Sequence, residues 1–279
     1  MVEKKIGLIA GNNTFPAQFA RAARKEGVKK IVAIGFYGET MKELSKYVDE
    51  LHWLRTGQLS KLIRIFKSRD VKSAVMVGQI NPRIVLKNFI GLDLRLIKLI
   101  FKLRDRRADT VLKSVADEIE KEGIKLEDST LYIKSLLAPD GLITGRRLSK
   151  SQKEDINFGV KMAKGVSGLD IGQTVVVKNK AVISVEAMEG TDATIRRSGE
   201  IAGAGAVVVK VSKPAQDMRF DVPVIGIDTI KTAVSAGVYV MAIEAGKTIF
   251  FDKEKVIEMA RKNNIKIVGV DSSVIVQNS

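Results

Sequence analysis

Acidic and hydroxyl side chains gather where one apolar run of the sequence ends. The run VVVKNKAVISVEA leads into EAMEGTDATIRRSG, a stretch that contains Glu186, Glu189, Thr191, Asp192 and Thr194. Carboxylate oxygens are ligands for hard divalent cations, and a carboxylate can also activate water. The stretch therefore predicts one wall of a site for a phosphate substrate and its metal ion.

A second set of charged residues follows the next apolar run, in VVVKVSKPAQDMRFDVPVIG. Phosphoanhydride chemistry needs cations to neutralise developing charge, oxygen ligands for a metal and a base or positioner for water. Candidate metal ligands and bases are Asp217, Asp221, Glu189 and Asp192. Candidate clamping cations are Lys210, Lys213 and Arg219, with Gln216, Thr191 and Asp192 as substrate-binding candidates. Taken singly, each of these is more often a surface charge or a helix cap, as Asp192 would be at a helix start.

Three turns in the first half of the chain could contact a ligand. The sequence GLIAGNNTFP places Gly11, Asn12, Asn13, Thr14 and Phe15 between a predicted strand and a predicted helix, where backbone N–H groups can bind an anion. Gln58 and Gln79 each follow a glycine at a predicted element boundary. None of these turns matches a dinucleotide-binding fingerprint or a P-loop, so plain structural turns remain an alternative.

The chain of 279 residues has no cysteine and one histidine, His52. Disulfides, thiolate catalysis, cysteine-based zinc sites and multi-histidine centres are therefore excluded. Any metal must be held by oxygen ligands, which indicates Mg²⁺ or Mn²⁺.

The net charge of +15 favours phosphorylated ligands, nucleic acid or an anionic membrane surface, while heat adaptation is a plainer explanation. A basic amphipathic helix is predicted around 92–107. It could cover a core, contact lipid headgroups and acyl chains, or follow a nucleic-acid backbone. Among the cations of this helix the sole aromatic is Phe101, so nucleic acid is not expected as a partner.

Apolar strands alternate with amphipathic helices in the first half, which predicts a parallel sheet. We expect an α/β protein with a Rossmann-like N-terminal domain over residues 1–137, a linker at 138–150 and a mixed α+β catalytic domain over 151–279. Two strands joined around Asn179 predict a hairpin, and IKLEDSTLYI predicts a last strand of the first domain. No apolar run reaches the length of a membrane span and no signal peptide is recognisable, so a cytoplasmic protein is expected.

Several blocks of the sequence together resemble one family. These are IGLIAGNNTFP, VDELHWLRTGQLSKLI, LLAPDGLIT, DIGQTVVVKNKAVISVEAMEGTDATI, VKVSKPAQDMRFDVPVIG and VMAIEAGKT. In this order they closely resemble the LpxI-type UDP-2,3-diacylglucosamine pyrophosphatases of lipid A synthesis, over nearly the whole chain. One departure is Asn13, which stands where that family usually has a second glycine.

The resemblance implies hydrolysis of UDP-2,3-diacylglucosamine to UMP and the lipid 1-phosphate, with a divalent metal required. It also implies closure of two domains over the lipid and a homodimer formed largely through the C-terminal domain. Contact with the inner-membrane surface is an expectation for the basic helix around 92–107. The family's essential aspartate corresponds to Asp217 or Asp221, with Asp221 favoured. Alternatives are a non-catalytic nucleotide- or lipid-binding regulator and a hydrolase of another UDP-sugar.

Overall fold

The computed structural model describes residues 4–78, 91–103 and 108–273. Gln79 and the C-terminal part of the predicted basic helix, residues 104–107, lie outside the described residues. The chain divides into two compact units. Unit 1 comprises Met1–Ile133 together with Asp217–Asp221, and unit 2 comprises Lys134–Gln216 together with Val222–Ser279.

Unit 1 contains a five-stranded, fully parallel sheet in the order β3-β2-β1-β4-β5. Its strands are β1 (Lys5–Ala10), β2 (Lys30–Phe36), β3 (Glu50–Leu54), β4 (Ser73–Val77) and β5 (Lys125–Leu126). Its helices are α1 (Phe15–Lys25), α2 (Leu59–Ser68), α3 (Leu94–Phe101) and α4 (Ala108–Lys121), with a 3₁₀ helix at Lys42–Lys46. The inner strands β1, β2 and β4 are almost continuously buried, as parallel strands covered by helices must be, so the predicted parallel sheet is confirmed.

Two predicted elements of unit 1 need correction. The last strand, predicted over 124–133, is limited to β5, because Asp128 Oδ1 accepts hydrogen bonds from the Thr130 backbone and hydroxyl, at 2.6 Å each, and forms a turn. Helix α3 ends at Phe101. Its Leu96 and Ile100 are buried in the core, as the predicted apolar stripe requires, whereas Phe101 is exposed.

Unit 2 is built on a six-stranded mixed sheet in the order β6-β13-β11-β9-β7-β8. Its strands are β6 (Gly141–Leu142), β7 (Thr174–Lys178), β8 (Ala181–Val185), β9 (Val207–Lys210), β10 (Val224–Ile225), β11 (Val240–Glu244), β12 (Ile249–Phe250) and β13 (Lys266–Val270). Its helices are α5 (Lys150–Gly168), α6 (Thr191–Ala202), α7 (Ile227–Ser235) and α8 (Lys253–Lys262), with a 3₁₀ helix at Lys134–Leu136. Strands β9, β11 and β13 are parallel, the remaining pairs of this sheet are antiparallel, and β10 pairs with β12 separately.

The predicted hairpin joins β7 to β8 through Asn179 and Lys180. Both residues have positive φ angles, 52° and 58°, as a type I′ turn demands. The buried Asp155 of α5 accepts hydrogen bonds from both backbone N–H groups, at 3.0 Å and 2.6 Å. A side chain from a different element thus fixes the turn, and the hairpin prediction is confirmed.

Candidate functional site

The turn after β1 leads directly into helix α1 at the carboxyl edge of the parallel sheet. Gly11 donates a backbone hydrogen bond of 2.8 Å to Val77 O at the end of β4. Asn13 has a φ of 61°, and its Oδ1 accepts a hydrogen bond of 2.8 Å from Phe15 N at the start of α1. Asn tolerates the left-handed region better than most residues. Asn13 therefore supplies the backbone conformation that the glycine of the resembling family would otherwise provide.

The backbone after β4 runs close against this turn. Gly78 has a φ of +88°, and a Cβ atom at this position would lie 2.8 Å from Asn12 O and 3.1 Å from Gly11 C. In the order β3-β2-β1-β4-β5, the point between β1 and β4 is where the connections change direction. Ligand crevices of open parallel sheets lie at such a point, outside the carboxyl ends of the strands.

The segment Asp217–Asp221 forms one tight turn on unit 1, since Asp217 O accepts a hydrogen bond of 3.0 Å from Asp221 N. Ser129 attaches this turn to the sheet: its N–H donates to Met218 O at 2.9 Å. The Ser129 Oγ lies within hydrogen-bond distance of both Arg219 O (2.7 Å) and Met76 O (2.6 Å). Met76 belongs to β4, so the turn lies beside one of the two strands, β1 and β4, between which a ligand crevice is expected.

Arg219 and Asp217 form a close ion pair within this turn. Arg219 Nη2 lies 2.7 Å from Asp217 Oδ2, and Arg219 Nε lies 3.0 Å from Asp217 Oδ1. Hydrogen bonds from Arg219 outweigh burial and lower the pKa of Asp217. The same guanidinium donates to Glu120 Oε2 at 3.0 Å and to Asp117 Oδ1 at 3.3 Å, both on α4. Arg219 is thus bound to three carboxylates, and the pKa of its guanidinium is raised.

An apolar cavity lies in unit 1 between the sheet and its helices. Ile9, Phe36 and Met76 from the strands form its floor. Side chains of α2, α3 and α4 form its walls, namely Leu59, Leu62, Leu96, Val111, Leu112, Val115 and Ile119. Thr56, Gly57 and the predicted binding residue Gln58 complete the lining. The lining is suited to an apolar group with a polar group at one end, and the cavity volume of about 80 Å³ is smaller than that of typical ligand pockets.

In unit 2, part of the acidic stretch does meet a predicted cation. Lys210 Nζ, at the end of β9, donates to Thr191 Oγ1 at 3.0 Å, and Thr191 Oγ1 lies 2.8 Å from Glu186 Oε1. Lys210 also donates to Val224 O at 3.0 Å. The Lys210 ammonium group and the Thr191 hydroxyl therefore lie together at the first turn of α6.

The two other predicted acids of this stretch differ in their contacts. Glu189 accepts hydrogen bonds from Thr194 Oγ1 at 3.2 Å and pairs with Arg197 at 3.0 Å. Its own backbone N–H contributes most to a lowered pKa. Asp192, in the first turn of α6, has a buried Oδ1 without a hydrogen-bond partner among the described residues. A buried acceptor of this kind is uncommon, which makes Asp192 a candidate ligand-binding residue.

The loop after β9 holds the remaining predicted residues of unit 2. Lys213 Nζ pairs with Asp170 Oδ1 at 2.7 Å, and the Lys213 N–H donates to Gln216 Oε1 at 2.6 Å. The structure therefore groups Gly11–Phe15, Gln58, Asp217, Arg219 and Asp221 in unit 1, and Glu189, Thr191, Asp192, Lys210, Lys213 and Gln216 in unit 2.

Comparison with known proteins identifies both halves of the chain. The family model described as the LpxI N-terminal domain matches residues 5–136, and that described as the LpxI C-terminal domain matches residues 139–268. The chain belongs to the LpxI family. One curated relative, "UDP-2,3-diacylglucosamine pyrophosphatase LpxI" of Caulobacter vibrioides, is 28% identical over 281 aligned positions, covering 96% of this chain and 98% of the relative. The relative is named a pyrophosphatase, and the expectation that this chain is an enzyme is confirmed.

Two solved structures show weak similarity. RibD of Acinetobacter baumannii is 16% identical with a TM-score of 0.29, over 44% of this chain and 37% of that one. The biotin carboxylase subunit of a pyruvate carboxylase is 14% identical with a TM-score of 0.26, over 63% and 35%. This chain thus spans little more than a third of either structure, and neither similarity bears on its fold or function.

The LpxI resemblance implies a divalent cation, which needs several oxygen ligands close together. Within the described parts of the chain, no three acidic or histidine side chains lie close enough together to hold a metal ion. Arg219 already contacts both oxygens of Asp217, whereas Asp192 Oδ1 lacks a partner. These residues do not form a site made of protein ligands alone, and no catalytic step is assigned through a metal.

Sequence reasoning missed several residues of this LpxI protein. Ser129, Asp117 and Glu120 attach the Asp217–Asp221 turn to unit 1, at separations of about ninety to one hundred positions along the chain. The spacing of Asp117 and Glu120 by three positions on one helix face was the sole signal available.

Another missed group is a buried ion pair at the carboxyl edge of the sheet in unit 2. Glu244, at the end of β11, is 2% exposed. Its carboxylate accepts hydrogen bonds from Lys164 Nζ, from the Ser212 backbone and hydroxyl, and from the Ser272 hydroxyl, each at 2.7 Å. Burial alone would raise the pKa of Glu244, but these donors outweigh it and lower the pKa to about 2. The pair fixes the loop that follows Lys210.

Proposed function

We propose that this protein hydrolyses the diphosphate of UDP-2,3-diacylglucosamine, releasing UMP and 2,3-diacylglucosamine 1-phosphate. The observation that carries the proposal is the position of the Asp217–Asp221 turn. Ser129 attaches this turn beside β4, at the carboxyl edge of the parallel sheet where the Gly11–Phe15 turn also lies. Carboxylates are thereby placed at the edge of the sheet where a phosphate ligand is expected to bind.

Asp221 is the better candidate for the base. Both oxygens of Asp217 accept hydrogen bonds from Arg219, and the lowered pKa of Asp217 makes it a weak proton acceptor. In the proposed reaction a water oxygen bonds to one phosphorus while its proton passes to Asp221. The bond from that phosphorus to the bridging oxygen breaks, and the bridging oxygen leaves on the other phosphate.

The cations proposed to neutralise the leaving phosphate are Lys210 and Lys213. Lys210 shares its position with the Thr191 hydroxyl and the first turn of α6, a combination suited to phosphate oxygens. We also propose Mg²⁺ or Mn²⁺ as cofactor. Asp192 would offer it an oxygen, while most of its ligands would come from substrate phosphates and water. When bound, the ion would supply further charge neutralisation.

The apolar cavity of unit 1 is the proposed site for an acyl chain. Its lining is aliphatic and aromatic apart from the Thr56–Gln58 segment, which could meet the polar linkage between chain and sugar. No helix in the described residues is long and apolar enough to cross a membrane. From the similarity to the LpxI family, we also propose that the protein acts in the cytoplasm, meets its lipid substrate at the inner-membrane surface and forms a homodimer.

The deciding experiment is incubation with UDP-2,3-diacylglucosamine and, separately, UDP-GlcNAc, with and without Mg²⁺ after chelation, followed by measurement of UMP. The proposal expects UMP from the acylated substrate and little from UDP-GlcNAc. In H₂¹⁸O, the product that carries the label identifies the phosphorus attacked. Binding of the acylated substrate without release of UMP under any metal condition would contradict the proposal and support a non-catalytic lipid- or nucleotide-binding protein.

A further inference from the structure

The turn Asp217–Asp221 is held on unit 1 by three independent kinds of contact. Arg219 pairs with Asp117 and Glu120 of α4. Ser129 donates its N–H to Met218 O, and its hydroxyl lies 2.7 Å from Arg219 O. Phe220 packs against the hydrophobic core of unit 1. The residues on either side, Gln216 and Val222, belong to unit 2. Five residues are thus integrated in one unit while their neighbours in sequence belong to the other.

The charge balance around Arg219 argues against direct contact with substrate. Its Nε, Nη1 and Nη2 atoms all donate to carboxylates, two of which lie outside the turn. One guanidinium thus faces three carboxylates, so the cluster is acidic overall. The positive charge of Arg219 is thus already neutralised by carboxylates, so Arg219 is not the cation that would neutralise a phosphate. A bidentate Arg–carboxylate pair instead provides a fixed geometry.

We propose that Arg219 is a positioning residue. By bridging Asp217 to Asp117 and Glu120, it fixes the turn on α4 and so sets the orientation of Asp221. This inference rests on the proposed function, in which Asp221 is the base. Asp117 and Glu120 then contribute to turnover without touching the substrate.

The test removes the partners on α4 and leaves the turn itself intact. In the full-length protein, the double variant Asp117→Asn/Glu120→Gln is compared with Arg219→Met, with Arg219→Lys and with a combination of Arg219→Met and the double variant. The matched control is Lys231→Met, which breaks the exposed Lys231–Asp228 ion pair on α7. Displacement of a reacting group by about 1 Å can cost about 100-fold in rate. We therefore expect kcat for UMP release to fall about 10- to 100-fold in the double variant, with KM changed less than about threefold.

Non-additivity is the second expectation. Arg219→Met and the double variant both remove the ion pairs between Arg219 and the α4 carboxylates. The combined variant should therefore have a kcat no lower than that of Arg219→Met alone. Arg219→Lys keeps a positive charge and should recover part of the turnover. Wild-type kcat in the double variant, together with a raised KM in Arg219→Met, would overturn the proposal, because it would show that Arg219 binds substrate directly.

Limited chymotrypsin digestion gives a readout that does not depend on activity. Cleavage after Phe220 should be faster in Arg219→Met and in the double variant than in wild type and Lys231→Met, at a temperature where all four remain folded. Unchanged cleavage would overturn the proposal. If wild type releases no UMP from any substrate, the proposed function fails. Faster cleavage of Arg219→Met and of the double variant would still show that Arg219 holds the turn on α4.

Discussion

Lys164 Nζ lies 2.7 Å from Glu244 Oε2, and the Lys164 and Glu244 side chains are 16% and 3% exposed. Burial lowers the pKa of Lys164, although Glu244 opposes that change. Removal of one partner from such a pair leaves an uncompensated buried charge and typically costs about 3–5 kcal/mol. We expect Glu244→Leu to lower the free energy of urea unfolding by about this amount at neutral pH. Lys164→Met should lower it less, because Lys247 Nζ also lies 3.1 Å from Glu244 Oε1. The double variant Lys164→Met/Glu244→Leu should lose less unfolding free energy than the sum of the losses in the two single variants. Additive losses would contradict a direct interaction between Lys164 and Glu244.

The same carboxylate predicts how stability depends on pH. The pKa of Glu244 falls from 4.5 to about 2 on folding, so the folded state favours the ionised form. The resulting stabilisation is complete above about pH 4.5 and is lost as the pH falls towards 2, with an upper magnitude of about 3 kcal/mol. The free energies of urea unfolding of wild type and Glu244→Gln should therefore become more similar as the pH falls from about 4.5 towards 2. Glu43→Gln, at an exposed position, is the control and should show no comparable convergence.

Asp221→Asn and Asp217→Asn separate the two candidate aspartates. A general base contributes about 10²- to 10⁴-fold, so Asp221→Asn should lower kcat by that factor. Asp217→Asn should lower kcat less, because Asp217 is already bound by Arg219. The measurement is UMP release by variants whose thermal unfolding matches wild type. Wild-type turnover in both variants would show that the base lies elsewhere.

Lys210→Met tests the proposed clamp in unit 2. Loss of one charge-stabilising donor typically costs about 10²- to 10³-fold in kcat, and we expect a fall of this order for the diphosphate substrate. Lys213→Met should reduce kcat as well, while Lys231→Met, which alters an exposed lysine of α7, should leave kcat unchanged. Equal kcat in Lys210→Met, Lys213→Met and Lys231→Met would remove both clamp candidates.

Val115→Trp tests the acyl-chain site. Val115 of α4 lines the apolar cavity, and a larger side chain there should take up the space that a chain needs. We expect kcat/KM to fall at least about tenfold for a long-chain substrate and much less for a short-chain analogue. Val234→Trp, on the partly exposed surface of α7, provides a control of the same size change. An equal fall for both chain lengths would indicate general misfolding or a different acyl site.

The sequence predicted those features that depend on local pattern. Apolar runs such as VMVG identified buried parallel strands, and Asn179 with Lys180 identified a tight hairpin. Contacts between residues far apart in sequence were beyond such patterns. Nothing local indicates that Lys164 pairs with Glu244 or that Arg219 pairs with Glu120.

The acidic stretch shows the same limit at the level of the candidate site. Its residue types suggested a shared ligand site, but Glu186 instead accepts from Thr191, and Glu189 pairs with Arg197. Asp192 is the acid of this stretch whose buried oxygen lacks a described partner. Side-chain partners decide which acids remain available to a ligand, and composition does not report those partners.

The placement of Asp217–Asp221 has a consequence for the modularity of this family. The match to the C-terminal domain spans residues 139–268 and so includes these five residues, yet their packing partners lie in the N-terminal half. A gene cut at the domain boundary would give two fragments, neither of which carries both the motif and the surface that shapes it. Chimeras that join halves from distant relatives would likewise set Arg219 against a foreign α4. We expect such chimeras to regain turnover only when α4 and the Asp217–Asp221 turn come from the same relative.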